Sequence, residues 1–251
     1  MGENKRKPVL LQELAWPAID RLVSDGEELC LLPIGATEQH GRHLPTSTDT
    51  VIAEQICWAT SARTGVPVLP AIPISSSQAH TARWPGTLAL SPRMFIELCV
   101  QVAAWVHRSG FRRLLYVNAH GGNVGPLRVA VDEVRFLGTP VVGLVNWFEL
   151  TPEIGALVTS DGTDVHANRA ETALMLHLRP ELVDLDEVRD DPDRTPGKVF
   201  SYTVANSSLD GLTGRPSEAT VQEGASLFAM VVDALVAVVD RARLETVPLS
   251  R

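Results

Sequence analysis

Short apolar runs that stop at a glycine or a polar residue alternate along this chain with longer stretches of helical period. Residues 29–34, Leu-Cys-Leu-Leu-Pro-Ile, end at Gly35 in the manner of a strand buried on both faces of a parallel sheet. Residues 66–72, 113–117 and 140–145 repeat that pattern. Between them the spacing turns helical. Ser91-Pro92 sets a capping hydroxyl and a first-turn proline ahead of Phe95, Leu98, Val102 and Val106, and Gly110 closes the helix. Residues 48–63 and 124–137 read as two more helices, and 221–244 as a long one rich in Ala and Val. Strands alternating with helices predict an α/β fold with a mostly parallel sheet covered on both faces, whose functional groups gather beyond the carboxyl ends of the strands. Residues 184–214, rich in Asp, Pro, Ser and Gly, break the pattern and predict an irregular insertion or lid within a single domain spanning 1–251.

Charge narrows the range of partners. With 22 Lys and Arg against 30 Asp and Glu the chain carries a formal charge of −8, so no basic field attracts nucleic acid or anionic lipid. Residues 1–7 are polar and basic, but Glu13, Asp20 and Arg21 interrupt the next stretch, and no charge-free span reaches bilayer length. The expectation is a cytoplasmic protein without membrane or nucleic acid partners. Cys30, Cys57 and Cys99 are odd in number and set among apolar neighbours, which predicts buried hydrophobes rather than disulfides or zinc ligands.

Three polar clusters interrupt the apolar pattern where strands end. The first runs from Gly35 to Asp49 and holds Glu38 and His40 two residues apart, a spacing that aims both side chains one way in an extended segment. Asp49, taken alone, reads as the cap of the adjoining helix. The second is Asn118-Ala-His120-Gly121-Gly122-Asn123, where paired glycines let backbone approach a ligand closely. The third is Asp161 to Thr172, with His166 on a loop and Glu171 in the first turns of a helix. Gathered at one sheet edge, these imidazoles and carboxylates suit Zn, Mn or Fe, and a bridging carboxylate allows a two-metal centre.

These residues carry a resemblance. Glu38-Gln-His40-Gly-x-His-Leu-Pro45, Asp49, Asn118-Ala-His120-Gly-Gly-Asn123 and His166-Ala-x-x-x-Glu171-Thr172 resemble the creatininase family, with support from residues 80–88 and 211–224. The resemblance implies a three-layer α/β/α sandwich, a paired divalent metal site and a homohexamer. It implies Glu38, His40, Asp49, His120 and Glu171 as metal ligands, Asp49 as the bridge, and His166 as the catalytic proton carrier. It further implies hydrolysis of a carbon–nitrogen amide bond by metal-activated water, in a cyclic amide, a formamide or a related small molecule, with a modified peptide as the alternative. Two departures argue against carrying creatinine over as the substrate. Creatininase has a glutamate two residues after the histidine matching His120, where this chain has Gly122, and tryptophans on the loop before its catalytic histidine, where 161–165 has none.

Readings of other classes stay beside this one. A non-catalytic protein could bind an anion at Gly121-Gly122 and the N-terminus of the next helix. An iron oxygenase triad would use fewer ligands than the chain offers.

Overall fold

The computed structural model describes residues 6–81 and 83–249. Most of the polar stretch at residues 1–7 therefore lies outside the described residues, as does Ala82. Five parallel strands form one sheet in the order β1-β3-β2-β4-β5: β1 Val9–Leu10, β2 Leu29–Ile34, β3 Pro67–Val68, β4 Arg113–Asn118 and β5 Val141–Asn146. The long pairings run unbroken, from Leu29 opposite Arg113 to Ile34 opposite Asn118, and from Arg113 opposite Val141 to Asn118 opposite Asn146. Asn118 therefore sits at the end of three strands at once, which places the loop after β4 beside the loop after β2.

Every residue of β2 is buried because the sheet is covered on both sides. Leu29 and Leu31 point into one core with Ile52, Ile56, Leu174, Leu227, Val231 and Leu235. Cys30, Leu32 and Ile34 point into the other with Phe95, Cys99, Leu127, Ala130 and Val134. The period of two along a strand is what divides them. Helices α2 (Thr48–Thr64), α5 (Pro152–Val158), α6 (Arg169–Leu178) and α8 (Val221–Leu244) supply the first core, and α1 (Trp16–Ser24), α3 (Pro92–Arg108) and α4 (Val124–Leu137) the second. The result is the three-layer α/β/α sandwich that the sequence implied.

The helix boundaries match their punctuation. The Ser91 hydroxyl accepts from Met94 N–H at the start of α3, and Gly65 and Gly138 close α2 and α4 in the left-handed conformation. Thr220 and Glu223 form a reciprocal capping box at the head of α8. Residues 66–72, expected as one strand, pair only at Pro67–Val68; Pro70 and Pro73 lack the N–H a ladder needs, and contact with β2 continues as isolated bonds from Leu69 and Ile72. Residues 184–214 contain little regular structure, short turns at Leu185–Glu187 and α7 (Val204–Ser207), and are tied by a bridge from Asp191 to Gly214. All three cysteines are buried and free, and burial raises each thiol above its ordinary pKa. No helix among the described residues is long and apolar enough to cross a membrane.

Candidate metal centre

Gly35 ends β2 and lets the head of α2 press against it: a Cβ there would lie 2.4 Å from Thr50 N. That contact brings Asp49 to the mouth of the sheet. Asp49 lies within the first turn of α2 and caps nothing, contrary to the expectation from its position alone; its carboxylate turns back to His40 instead. On the neighbouring strand, β4 delivers His120 two residues past Asn118. The Asn118 amide donates to the His120 carbonyl and accepts from its N–H, and Asn123 ties Asn118 to the Gly35 carbonyl. These asparagines brace the turn. The third contribution comes from the head of α6, where Asn168 caps Glu171 N–H. Ala167 adopts a φ of 48°, a strained value for a residue with a side chain, and its N–H thereby donates to Glu171 Oε2 at 2.6 Å.

The five expected ligands and His166 meet in one buried cluster. His40 Nε2 lies 3.1 Å from Asp49 Oδ1, and 3.9 Å from both Glu38 Oε1 and Glu171 Oε2. His120 Nδ1 lies 3.2 Å from Glu38 Oε1 and 3.4 Å from Asp49 Oδ2. His166 Nδ1 stands 3.5 Å from Glu38 Oε1, and His80 Nε2 stands 3.8 Å from Glu38 Oε2. His80, within the 80–88 stretch that supports the family resemblance, is thus part of the cluster. Gln39, not singled out from the sequence, donates to His166 Nε2 at 2.9 Å. His43 is buried but turned away, its Nε2 bonded to the Thr172 hydroxyl.

The outer nitrogens of the rings tell the histidines apart. His40 Nδ1 donates to the Glu38 carbonyl at 3.1 Å, and His120 Nε2 donates to the Ser76 carbonyl at 3.1 Å. In its neutral form each ring would therefore turn the lone pair of its inner nitrogen to the carboxylates, and a cation there would take the place of the inner proton that those carboxylates otherwise hold, which is the arrangement of a metal-binding histidine. Position 122 agrees with it: a Cβ there would stand 2.4 Å from His120 Nε2.

Electrostatics obey the same division. Burial drives His40 downward, but Asp49, Glu171 and Glu38 outweigh it and raise the ring to about 10. His120 is likewise lowered by burial and lifted, mainly by Glu38, to about 9. His166 is held well below its ordinary value by burial and by the rings of His80 and His40, so it is neutral at neutral pH. Burial, together with Asp49 and Glu38 and against His40, raises Glu171 to about 7. Burial pushes Glu38 up as well, but His120, His80 and His166 outweigh it and hold the carboxyl below its usual range.

This donor set fits a divalent cation. Both oxygens of Glu38 and Oδ2 of Asp49 are fully buried without a hydrogen bond, an uncommon state for carboxylates unless a positive charge completes it. Glu38, His40 and Asp49 bring ligand atoms within 4.8 Å of one another, as do Glu38, His80 and His166, and His40, His166 and Glu171; imidazole nitrogens and carboxylate oxygens are ligands of the class that zinc and manganese take. A cleft of about 530 Å³ opens beside the cluster, lined by Ala119, Gly121, Phe148, Glu149, Asp164 and Glu171 among others.

The three-layer fold and a donor set suited to a divalent metal are those of a metal-dependent amide hydrolase. Residues 12–239 match the family model described as creatinine amidohydrolase, and the chain belongs to the creatininase family of hydrolases. It is 34% identical over 249 residues to a mycofactocin precursor peptide peptidase of Mycobacterium tuberculosis, covering 92% of this chain and 91% of that one. It is 30% identical to a creatinine amidohydrolase of Pseudomonas putida, covering 91% and 95%. A crystal structure of creatininase superposes with a TM-score of 0.82 at 26% identity over 95% of this chain and 99% of the other, and a manganese form of creatininase with 0.80 at 27% over 94% and 99%.

Proposed function

We propose that the chain hydrolyses an amide bond with a divalent ion, zinc or manganese, held by Glu38, His40, Asp49, His120 and Glu171, and with His166 as the proton carrier. The observation that carries this reading is the convergence of buried carboxylate oxygens of Glu38 and Asp49, three of them without a hydrogen bond, with the inner nitrogens of His40 and His120. Asp49 faces both rings, one oxygen to each, and so is the residue to bridge where two ions bind. When bound, a divalent ion supplies Lewis-acid chemistry, lowering the pKa of water and taking up negative charge as an amide carbonyl is attacked.

The remaining work falls to the protein. His166 is neutral and holds its proton at Nδ1, on the side of Glu38. As the carbon–nitrogen bond breaks, that proton passes to the departing nitrogen while the proton released by the attacking water moves onto Nδ1 in the same step, so the ring stays neutral throughout. General acid catalysis of this kind contributes about 10²–10⁴-fold. The cleft walls, Phe148, Val158 and Val165, hold the substrate and keep bulk water from the centre.

A small amide is the first substrate class to test. The peptide reading is favoured by the cleft, at about 530 Å³ roomier than a small cyclic amide requires, and by the similarity to the mycobacterial peptidase. Assembly into a homohexamer and a cytoplasmic location complete the proposal, and light scattering tests the former. The deciding experiment measures metal in the purified protein and hydrolysis of cyclic amides, formamides and short peptides by the native protein, Glu38→Gln and His166→Ala. One or two ions per native chain, loss of turnover in Glu38→Gln and a turnover lowered about 10²–10⁴-fold in His166→Ala are expected. Metal-free native protein that hydrolyses none of the panel, or full turnover by His166→Ala, would overturn the reading.

A further inference from the structure

Gln39 lies between two proposed ligands in the sequence, yet its side chain faces neither of them. It is buried at 4% exposure, and its Oε1 accepts from Gly41 N–H at 3.1 Å. That bond fixes which end of the amide is which, so the amide nitrogen is the end that meets the imidazoles. It stands 2.9 Å from His166 Nε2 and 3.5 Å from His80 Nδ1, one hydrogen for each ring.

An amide N–H can only donate, so His166 Nε2 must accept. The single proton of the neutral ring is then on Nδ1, 3.5 Å from Glu38 Oε1. His40 and His120 are held the opposite way, each giving its outer N–H to a backbone carbonyl. The partner of the outer nitrogen thus decides whether a neutral ring shows the centre a lone pair or a proton.

We propose that Gln39 is a positioning residue that fixes the tautomer of His166, so that this ring presents an N–H to the centre and is kept out of the ligand set. The proposal rests on the reading of His166 as proton carrier. Residues 208–211 lock the device in place. A Cβ at Gly211 would lie 2.3 Å from Gln39 Oε1, so backbone packs directly on the amide. Gly211 N–H donates to Ser208 Oγ at 2.8 Å, and Ser208 Oγ donates to Asp191 Oδ2 at 2.8 Å. The irregular 184–214 segment therefore reaches His166 through one side chain.

The test needs a readout apart from turnover. In metal-free protein carrying ¹⁵N-histidine, with the His166 signals assigned by their loss in His166→Ala, the native ring should show a protonated Nδ1 and a bare Nε2. Gln39→Glu, which can only accept, should reverse that pattern. Both Gln39→Glu and Gln39→Met should lower kcat about 10–100-fold with KM little changed, and thermal unfolding checks that each folds. Added to His166→Ala, Gln39→Met should cost nothing further, because the two act as a unit. A native ring protonated at Nε2 overturns the proposal. So does a Gln39→Glu protein with native tautomer and native kcat, or a Gln39→Met defect undiminished in the His166→Ala background. Full turnover by His166→Ala alone would remove the proton carrier, and the catalytic half of this proposal with it, while the tautomer measurement stood.

Discussion

Gly122 and His120 share one small volume: a Cβ on the glycine would stand 2.4 Å from His120 Nε2 and 2.6 Å from the Ser76 carbonyl that this nitrogen bonds. In the packing of this chain a side chain at 122 would have to displace His120 Nε2 or the Ser76 carbonyl, and so disturb the bond that turns Nδ1 toward Glu38 and Asp49. Gly122→Ala should weaken zinc binding about 10–100-fold, the usual effect of losing the partner that orients a ligand histidine. Titration calorimetry measures it. Gly121→Ala, which meets nothing within 4 Å, serves as the control with native affinity. Equal affinities for both variants would contradict the geometry.

Binding of metal to the folded state alone should raise thermal stability. At an ion concentration 100 times Kd the gain is about 2.7 kcal/mol. For a chain of this size that moves Tm by about 5–10 °C. Treatment with a chelator should reverse the shift, and in Glu38→Gln the addition of zinc should move Tm far less. Calorimetric scans with and without zinc decide it, and an unchanged native Tm would count against the ligand set.

Asp193 clasps the loop that leads into His166. Its carboxylate accepts from Thr163 N–H and Oγ1 at 2.9 and 3.0 Å, from Asp164 N–H at 3.2 Å and from Thr195 N–H at 2.8 Å. Burial pushes the carboxyl up, but these bonds outweigh it and hold the pKa below the usual carboxylate range. A folded-state pKa below the unfolded one stabilises the fold above about pH 4, and the gain is lost as acidification continues. Asp193→Asn should therefore unfold earlier than the native protein at pH 7 and lose less on going to pH 3. Parallel thermal scans at the two pH values would show it, and identical acid sensitivity would refute it.

At Gly224, α8 packs directly on the backbone of α6: an added Cβ would lie 1.8 Å from the Ala173 carbonyl oxygen. Because α6 carries Glu171 at its head, this crossing sets the depth of a proposed ligand as well as the packing. Gly224→Ala should destabilise the fold by about 1–3 kcal/mol, the range for overpacked interiors, and reduce metal affinity. Urea unfolding measures the first effect, and an unmoved midpoint would show that the helices can part freely.

The strands and helices legible in the sequence were those with both a sustained period and a chemical stop. β2 has its apolar run and Gly35, and α3 has Ser91-Pro92 and Gly110. The two-residue β1 is too short to show any period, and the charges of α1 obscured its amphipathic face. The cluster at the centre was visible because its residues fall in dense polar patches where apolar strands end. Gln39 was hidden by the alternation that picks out Glu38 and His40: residues 38–40 belong to no regular strand, and the intervening side chain reaches the histidines as well. His80 was a lone histidine among Ser and Gln, and only the fold brings it to Glu38. Asp49 read as a cap because position alone cannot reveal that His40 competes for its carboxylate.

The seclusion of Cys30, Cys57 and Cys99 leaves the native surface silent toward thiol reagents. A single cysteine introduced at Leu244, 82% exposed at the end of α8, would be the one reactive sulfur. The end of that helix is held by Arg113, the first residue of β4, through the carbonyls of Ala242 and Glu245, so it lies at the rim of the sheet opposite His120. A fluorophore or a solid support attached there would leave the mouth of the cleft facing solution.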